Sequence, residues 1–193
     1  MPRRKTHFTQ GHYYHVYNRG VNRQTIFFSS ENYLYCLRLI QKYRQQYQIS
    51  VIAYCLMPNH YHFLLRQDGD LTIDRFIGVL FNSYTQAVNR QLQRTGTLFT
   101  GRFKCIAVDD ESYLRHLCRY IHANPMNAGL ANSLDEWPYS NYLEWCGARA
   151  GTLVDHRFVD EFFPQREAYQ AFVSSYVQGV DCLPDGLEPY LLA

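Results

Sequence analysis

Two histidines one residue apart, His60-Tyr61-His62, are the first residues in the chain whose types and spacing suggest chemistry. On a strand, residues two apart point to the same face, so both imidazoles project together while Tyr61 enters the opposite layer. Two imidazoles on one face are half of a metal site. Two boundary histidines in a hairpin would show the same spacing. Tyr120 and Asn124 are the second constellation. At i and i+4 of a helix they are neighbours on one side, where a phenol could act as nucleophile beside an amide oxygen serving as third metal ligand. A half-buried boundary tyrosine and an asparagine capping the helix end are the plainer alternative. Arg19, Arg23, Arg102 and Lys104 are candidate cations for a nucleic-acid backbone. Arg102 and Lys104 alternate with Phe103, so both could face a substrate while Phe103 packs. For each cation taken singly, a solvated surface charge is the alternative.

The elements that must position these residues follow from hydrophobic periodicity and turn chemistry. Residues 12–18 are rich in aromatic and β-branched side chains and predict a strand. Ser29 or Ser30 caps a helix that keeps apolar spacing to about residue 47. Residues 49–56 predict a strand, Met57-Pro58-Asn59 a turn, and residues 60–66 a hairpin-related strand. A strongly amphipathic helix is expected over 71–94, stopped by Gly96. Strand material returns at 97–99 and 103–108. Asp109 or Asp110 then caps a helix over 111–123 that stops before Pro125. Leu114, Leu117, Cys118 and Ile121 form its core stripe, and Tyr120 lies off that stripe on a flank shared with Tyr113 and Asn124. Arg115, Arg119 and His122 fall on the side away from Tyr120 and are not assigned to catalysis. His15, His116 and His156 are read as structural or surface residues. The order β-α-β-β-α-β predicts an α+β, ferredoxin-like (RRM-like) core with an antiparallel sheet. The helix bearing Tyr120 follows the last strand. One or two short helices, broken near Pro164, are expected over 155–177, and an irregular tail over the last dozen residues, with Pro184, Gly186 and Pro189.

Met57-Pro58-Asn59-His60-Tyr61-His62-Phe63-Leu64-Leu65 resembles the HUH motif of single-tyrosine transposases. Tyr120-Ile121-His122-Ala123-Asn124-Pro125, followed by Ala128-Gly129-Leu130, resembles the catalytic-tyrosine helix of REP-associated tyrosine transposases. The likeness continues in Tyr14-His15-Val16 with Arg19-Gly20, in Gly101-Arg102-Phe103 and in Trp137-Pro138-Tyr139-Ser140, over roughly residues 10–145. It implies a transposase domain over 1–145 with a C-terminal helical extension and tail over 146–193. It also implies a DNA endonuclease and strand transferase acting on single-stranded DNA near a hairpin, such as a REP-like palindrome. In that mechanism His60, His62 and Asn124 bind Mg²⁺ or Mn²⁺, and Tyr120 attacks phosphorus to leave a 5′-phosphotyrosine and a free 3′-OH. A His-His-Asn set is less acidic than the carboxylate sites usual for Mg²⁺, so weak binding completed by the DNA phosphate is expected. The segment after residue 125 resembles the monomeric members, with the dimeric insertion-sequence transposases as the alternative.

Composition narrows the competing classes. The chain has 193 residues, 47% of them hydrophobic, which suits one folded domain with a tail. The net charge is +2 and the pI about 8.2, below the value of about 9 that usually announces a nucleic-acid binder. Basic residues concentrate in the first 110 positions, including an arm of Arg3, Arg4 and Lys5, while acids accumulate after Asp155. An acidic tail can hide a basic face in the total. None of the six cysteines forms a C-x-x-C pair, which argues against a cysteine zinc site. With no signal-peptide pattern and no apolar run of about 20 residues, a cytoplasmic, nucleoid-associated bacterial protein away from the membrane is expected. Two further readings stand beside the transposase. One is a hairpin-binding regulatory protein without turnover. The other is an RNA-binding ferredoxin-like module, disfavoured because no segment fits the RNP1 pattern.

Overall fold

A computed structural model describes residues 6–184. The basic arm Arg3-Arg4-Lys5 and the tail positions Gly186 and Pro189 lie outside the described residues. Four strands, β1 (Tyr13–Arg19), β2 (Ile49–Met57), β3 (His60–Gln67) and β4 (Lys104–Val108), form one sheet in the order β2-β3-β1-β4. Every neighbouring pair is antiparallel. Helices α1 (Ser30–Tyr47) and α2 (Ile73–Gln91) complete the βαββαβ order, so the core is ferredoxin-like. Helix α3 (Glu111–Asn127) follows β4, and α4 (Tyr142–Trp145), α5 (His156–Phe162) and α6 (Arg166–Val177) follow in turn.

Both faces of the sheet are covered, which is why the central strands are buried almost throughout. Tyr14, Val16, Tyr61, Phe63 and Leu65 share one core with Ile40, Phe76, Leu80 and Tyr84 of α1 and α2. Tyr61 stacks on Phe81, with ring centroids 4.1 Å apart. Leu64 and Val108 belong to a second core with Leu114, Leu117 and Ile121 of α3 and with Trp145, Phe158, Tyr169 and Val173. The two-residue period of β3 therefore sends Tyr61 to the α1/α2 layer and His60 and His62 to the α3 layer.

Three elements depart from the sequence expectations. Helix α3 does not stop before Pro125 but runs to Asn127. Proline removes one backbone donor, a tolerable loss so near the helix end. The stop comes from Gly129 at φ 66°, where the N–H of Gly129 donates to the Met126 carbonyl and that of Leu130 to the Pro125 carbonyl, both 2.9 Å. That bond pair is a Schellman motif. Helix α2 spans Ile73–Gln91 rather than 71–94, and the chain turns at Gln93 (φ 48°) before Gly96 is reached. Residues 97–99 form no strand: Phe99 makes one isolated bridge to Gly20.

Candidate active site

β1 and β3 lie side by side, with Arg19 opposite His60 and Tyr17 opposite His62. The two-residue turn Pro58-Asn59 precedes His60 and is tied to the chain after β1. The Pro58 carbonyl accepts from Ile26 N–H (2.7 Å) and Phe27 N–H (3.1 Å), and the Asn59 carbonyl from Gly20 N–H (2.8 Å). Gly20 is required there, because a Cβ would collide with the Gln24 carbonyl. Helix α3 crosses this sheet face, anchored by its apolar stripe and capped by Asp110, whose Oδ1 accepts from Tyr113 N–H at 3.0 Å. Tyr120 and Asn124 are thereby carried to the histidines.

Arg19, Arg23, Asn59, His60, Tyr120, Asn124, Asn127 and Ala128 line a cleft of about 330 Å³. His62 is fully buried behind it. Its ring centroid lies 5.2 Å from that of His60 and 5.4 Å from that of Tyr120, both edge-on. Asn124 donates through Nδ2 to the Tyr120 carbonyl at 2.8 Å, which directs its Oδ1 away from the helix backbone, and its side chain hydrogen-bonds His60. Nδ1 of His60 meets Asn59 Oδ1 at 2.7 Å, while Asn59 Nδ2 donates to the Arg23 carbonyl at 3.2 Å.

Burial holds both imidazoles neutral. His60 is pushed down to about 4, with the Arg19 charge acting in the same direction and the Asn124 hydrogen bond opposing it. His62 is held well below its usual value by burial and then by His15 and His60. Burial, and then Tyr120, push the Tyr17 phenol up.

These groups fit a divalent cation. A neutral imidazole carries one N–H, so His60 can donate to only one of the amide oxygens flanking it. Nε2 of His62 is buried without a hydrogen-bond partner among the described residues, a loss of about 1–3 kcal/mol for a typical polar group. A cation would satisfy the surplus lone pair at His60, and one at His62 Nε2 when that ring carries its proton on Nδ1. Among the described residues no three His, Cys, Asp or Glu side chains gather into a metal-binding group.

The expected cations separate. Arg19 and Arg23 line the cleft. Lys104 is exposed and pairs with Tyr17, which places it on the histidine face of the sheet but across β1. Arg102 sits in the loop before β4 and lines a different cleft with Asn18, Phe81 and Asn82. The two therefore do not form one substrate-facing row, because regular alternation begins only at Lys104.

Three residues acquire roles that the sequence reading had not given them. His15 is fully buried, and its Nε2 lies 3.0 Å from Nδ1 of His62. Its place beside His62 depends on the β1–β3 register, which periodicity within one strand does not contain. Asn59, read as a turn former, also orients His60. Arg119, assigned to the helix side away from Tyr120, is indeed off the cleft but is fully buried. It forms an ion pair with Asp181, donates to the Cys182 carbonyl at 2.5 Å, and lies over the rings of Phe172 and Tyr176.

No helix among the described residues is long and apolar enough to cross a membrane. A Haemophilus influenzae protein, provisionally named a REP-associated tyrosine transposase, is 28% identical over 109 residues. That match covers 51% of this chain and 61% of the relative, so the chain spans less than two thirds of its length. A solved REP-associated tyrosine transposase bound to a REP hairpin superposes with a TM-score of 0.67 at 19% identity, covering 80% of this chain and 94% of that one. At that identity the likeness speaks for the fold. The family described as "Transposase IS200 like" matches residues 8–124, a span that runs from β1 through the histidine pair to Asn124. With most of its length inside that match, the chain belongs to the IS200-like transposase family.

Proposed function

We propose that the chain is a metal-dependent single-stranded DNA endonuclease and strand transferase that works beside a DNA hairpin through Tyr120. The observation that carries this is the meeting of Tyr120, His60 and Asn124 in one cleft backed by His62, whose buried Nε2 lacks a partner. His60, His62 and Asn124 would hold Mg²⁺ or Mn²⁺. Such an ion supplies Lewis acidity at the scissile phosphate, offsetting charge that develops in the transition state. The Tyr120 oxygen forms a bond to phosphorus, the bond from phosphorus to the 3′ oxygen breaks, and the phenolic proton leaves as the 3′-OH is released. The phosphodiester is conserved as a 5′-phosphotyrosine, so a later 3′-OH can reverse the step. Arg19 and Arg23 place positive charge along the cleft for the DNA backbone, with Lys104 further along the sheet face and Arg102 in the neighbouring cleft. Hairpin DNA is the proposed partner because the solved relative binds a REP hairpin. A monomer is the proposed working unit, with a dimer as the alternative.

Mixing the protein with labelled single-stranded hairpin DNA and Mn²⁺ tests this reading. The expected result is a covalent protein–DNA adduct that EDTA prevents and that Tyr120→Phe abolishes. No adduct with wild type, or an adduct that persists in Tyr120→Phe, would overturn it. Hairpin binding that survives EDTA without cleavage would instead favour a regulatory binder.

A further inference from the structure

His15 lies on β1 beside the histidine pair, yet lines no part of the cleft. Its ring is within 12° of parallel to that of His62 and also stacks on Tyr17, with centroids 4.8 Å apart. The contact between the two imidazoles is a hydrogen bond, His15 Nε2 to His62 Nδ1 at 3.0 Å, fully buried. One of the two nitrogens must carry the proton. If His15 donates, neutral His62 bears its own N–H at Nε2, where it is buried without a partner. If His62 donates, Nε2 keeps a lone pair and His15 carries its own N–H on the equally buried Nδ1. Each arrangement buries one N–H, and only the second leaves His62 Nε2 able to bind a cation. His60 repeats the arrangement independently, with Nδ1 directed at the fixed oxygen of Asn59. Imidazoles that bind metals commonly donate their other ring N–H to an outer partner, which sets tautomer and ring orientation.

We infer that His15 is a positioning residue: it accepts the Nδ1–H of His62 and so holds the Nε2 lone pair ready for the cation. This rests on the metal-site reading above for its purpose, but the tautomer itself is a property of the metal-free protein. His15 is not among the residues lining the cleft and would act through His62.

The test separates the two claims. Long-range ¹H–¹⁵N NMR of the metal-free protein is expected to show His62 as the Nδ1–H tautomer. His15→Phe keeps the ring packing but removes the acceptor, whereas His15→Gln keeps an acceptor. In His15→Phe the Nε2–H form of His62 should appear and Mn²⁺ affinity, read by electron paramagnetic resonance, should fall about 10- to 100-fold. His15→Gln should restore part of both. An Nε2–H tautomer in wild type, or wild-type Mn²⁺ affinity in His15→Phe, would overturn the inference. If wild type shows the expected tautomer but binds no Mn²⁺, the metal-site reading falls and the role of His15 in setting the tautomer stands. Should His15→Phe fail to fold, the wild-type tautomer and the His15→Gln protein still decide the question.

Discussion

Asn124 shows how one side chain can be committed twice. Its Nδ2 is occupied by the Tyr120 carbonyl, so its oxygen is the end left to face His60. Asn124→Ala removes that oxygen and leaves the rest of α3 unchanged. Mn²⁺ affinity should drop by about 100-fold or more, at or beyond the upper end for losing an outer-shell partner. Isothermal titration of the folded variant measures this, and an unchanged affinity would remove Asn124 from the ligand set. The i, i+4 relation of Tyr120 and Asn124 was legible in the sequence, as was the common face of His60 and His62. The partners of those residues were not. His15 and Asn59 act through a strand register and a turn geometry that no single-segment pattern encodes.

At the scale of elements, α3 is the moving part of the problem, because it must deliver Tyr120 across the sheet. Its start is fixed by the Asp110 cap and its end by the Schellman bonds around Gly129. Asp110→Ala should cost about 1 kcal/mol and lower the melting temperature by roughly 2–4 °C. The site lies more than two turns from the cap, so adduct formation at 20 °C should persist, as a gel assay with the hairpin substrate would show. Element types and order were readable where the local signal was clear: the aromatic and β-branched content of β1, the Pro58-Asn59 turn before β3 and the apolar stripe of α2 all correspond to elements of the structure. Helix ends were less readable. Pro125 looked like a stop, but a proline in the last turn forfeits only one bond, and the actual stop depends on a left-handed glycine four residues on.

Across the whole molecule, the segments after α3 hold the back of the helix that carries Tyr120. His122 donates through Nε2 to Asn141 Oδ1 (2.9 Å), whose Nδ2 is committed to the Ile52 and Leu153 carbonyls, and accepts at Nδ1 from the Tyr169 hydroxyl (2.5 Å). Arg119 is fully buried, with half-exposed Asp181 as its counter-ion. The Arg119 hydrogen bond holds the Asp181 carboxyl below its usual range. In the window between that lowered value and the ordinary carboxylate value of about 4, the unfolded chain binds more protons than the folded one, so stability rises with pH. The contribution is therefore present above about pH 4 and lost as pH falls through the window. Asp181→Asn should weaken this part of the acid dependence in thermal melts across that range. Arg119→Met should be better tolerated at neutral pH than Asp181→Ala, which leaves a buried cation without its counter-ion.

The turn at Pro58-Asn59 has a consequence for conformational entropy. Ordering a residue's backbone costs about 1–2 kcal/mol, wherever in the sequence of events it occurs. Here three backbone bonds from Gly20, Ile26 and Phe27, and one from the Asn59 side chain to Arg23, hold the turn in the ligand-free protein. The ordering cost is met when the chain folds rather than when a cation arrives. In the proposed metal site, an ion held at His60 would meet a turn already ordered, leaving more of its binding free energy for the phosphate.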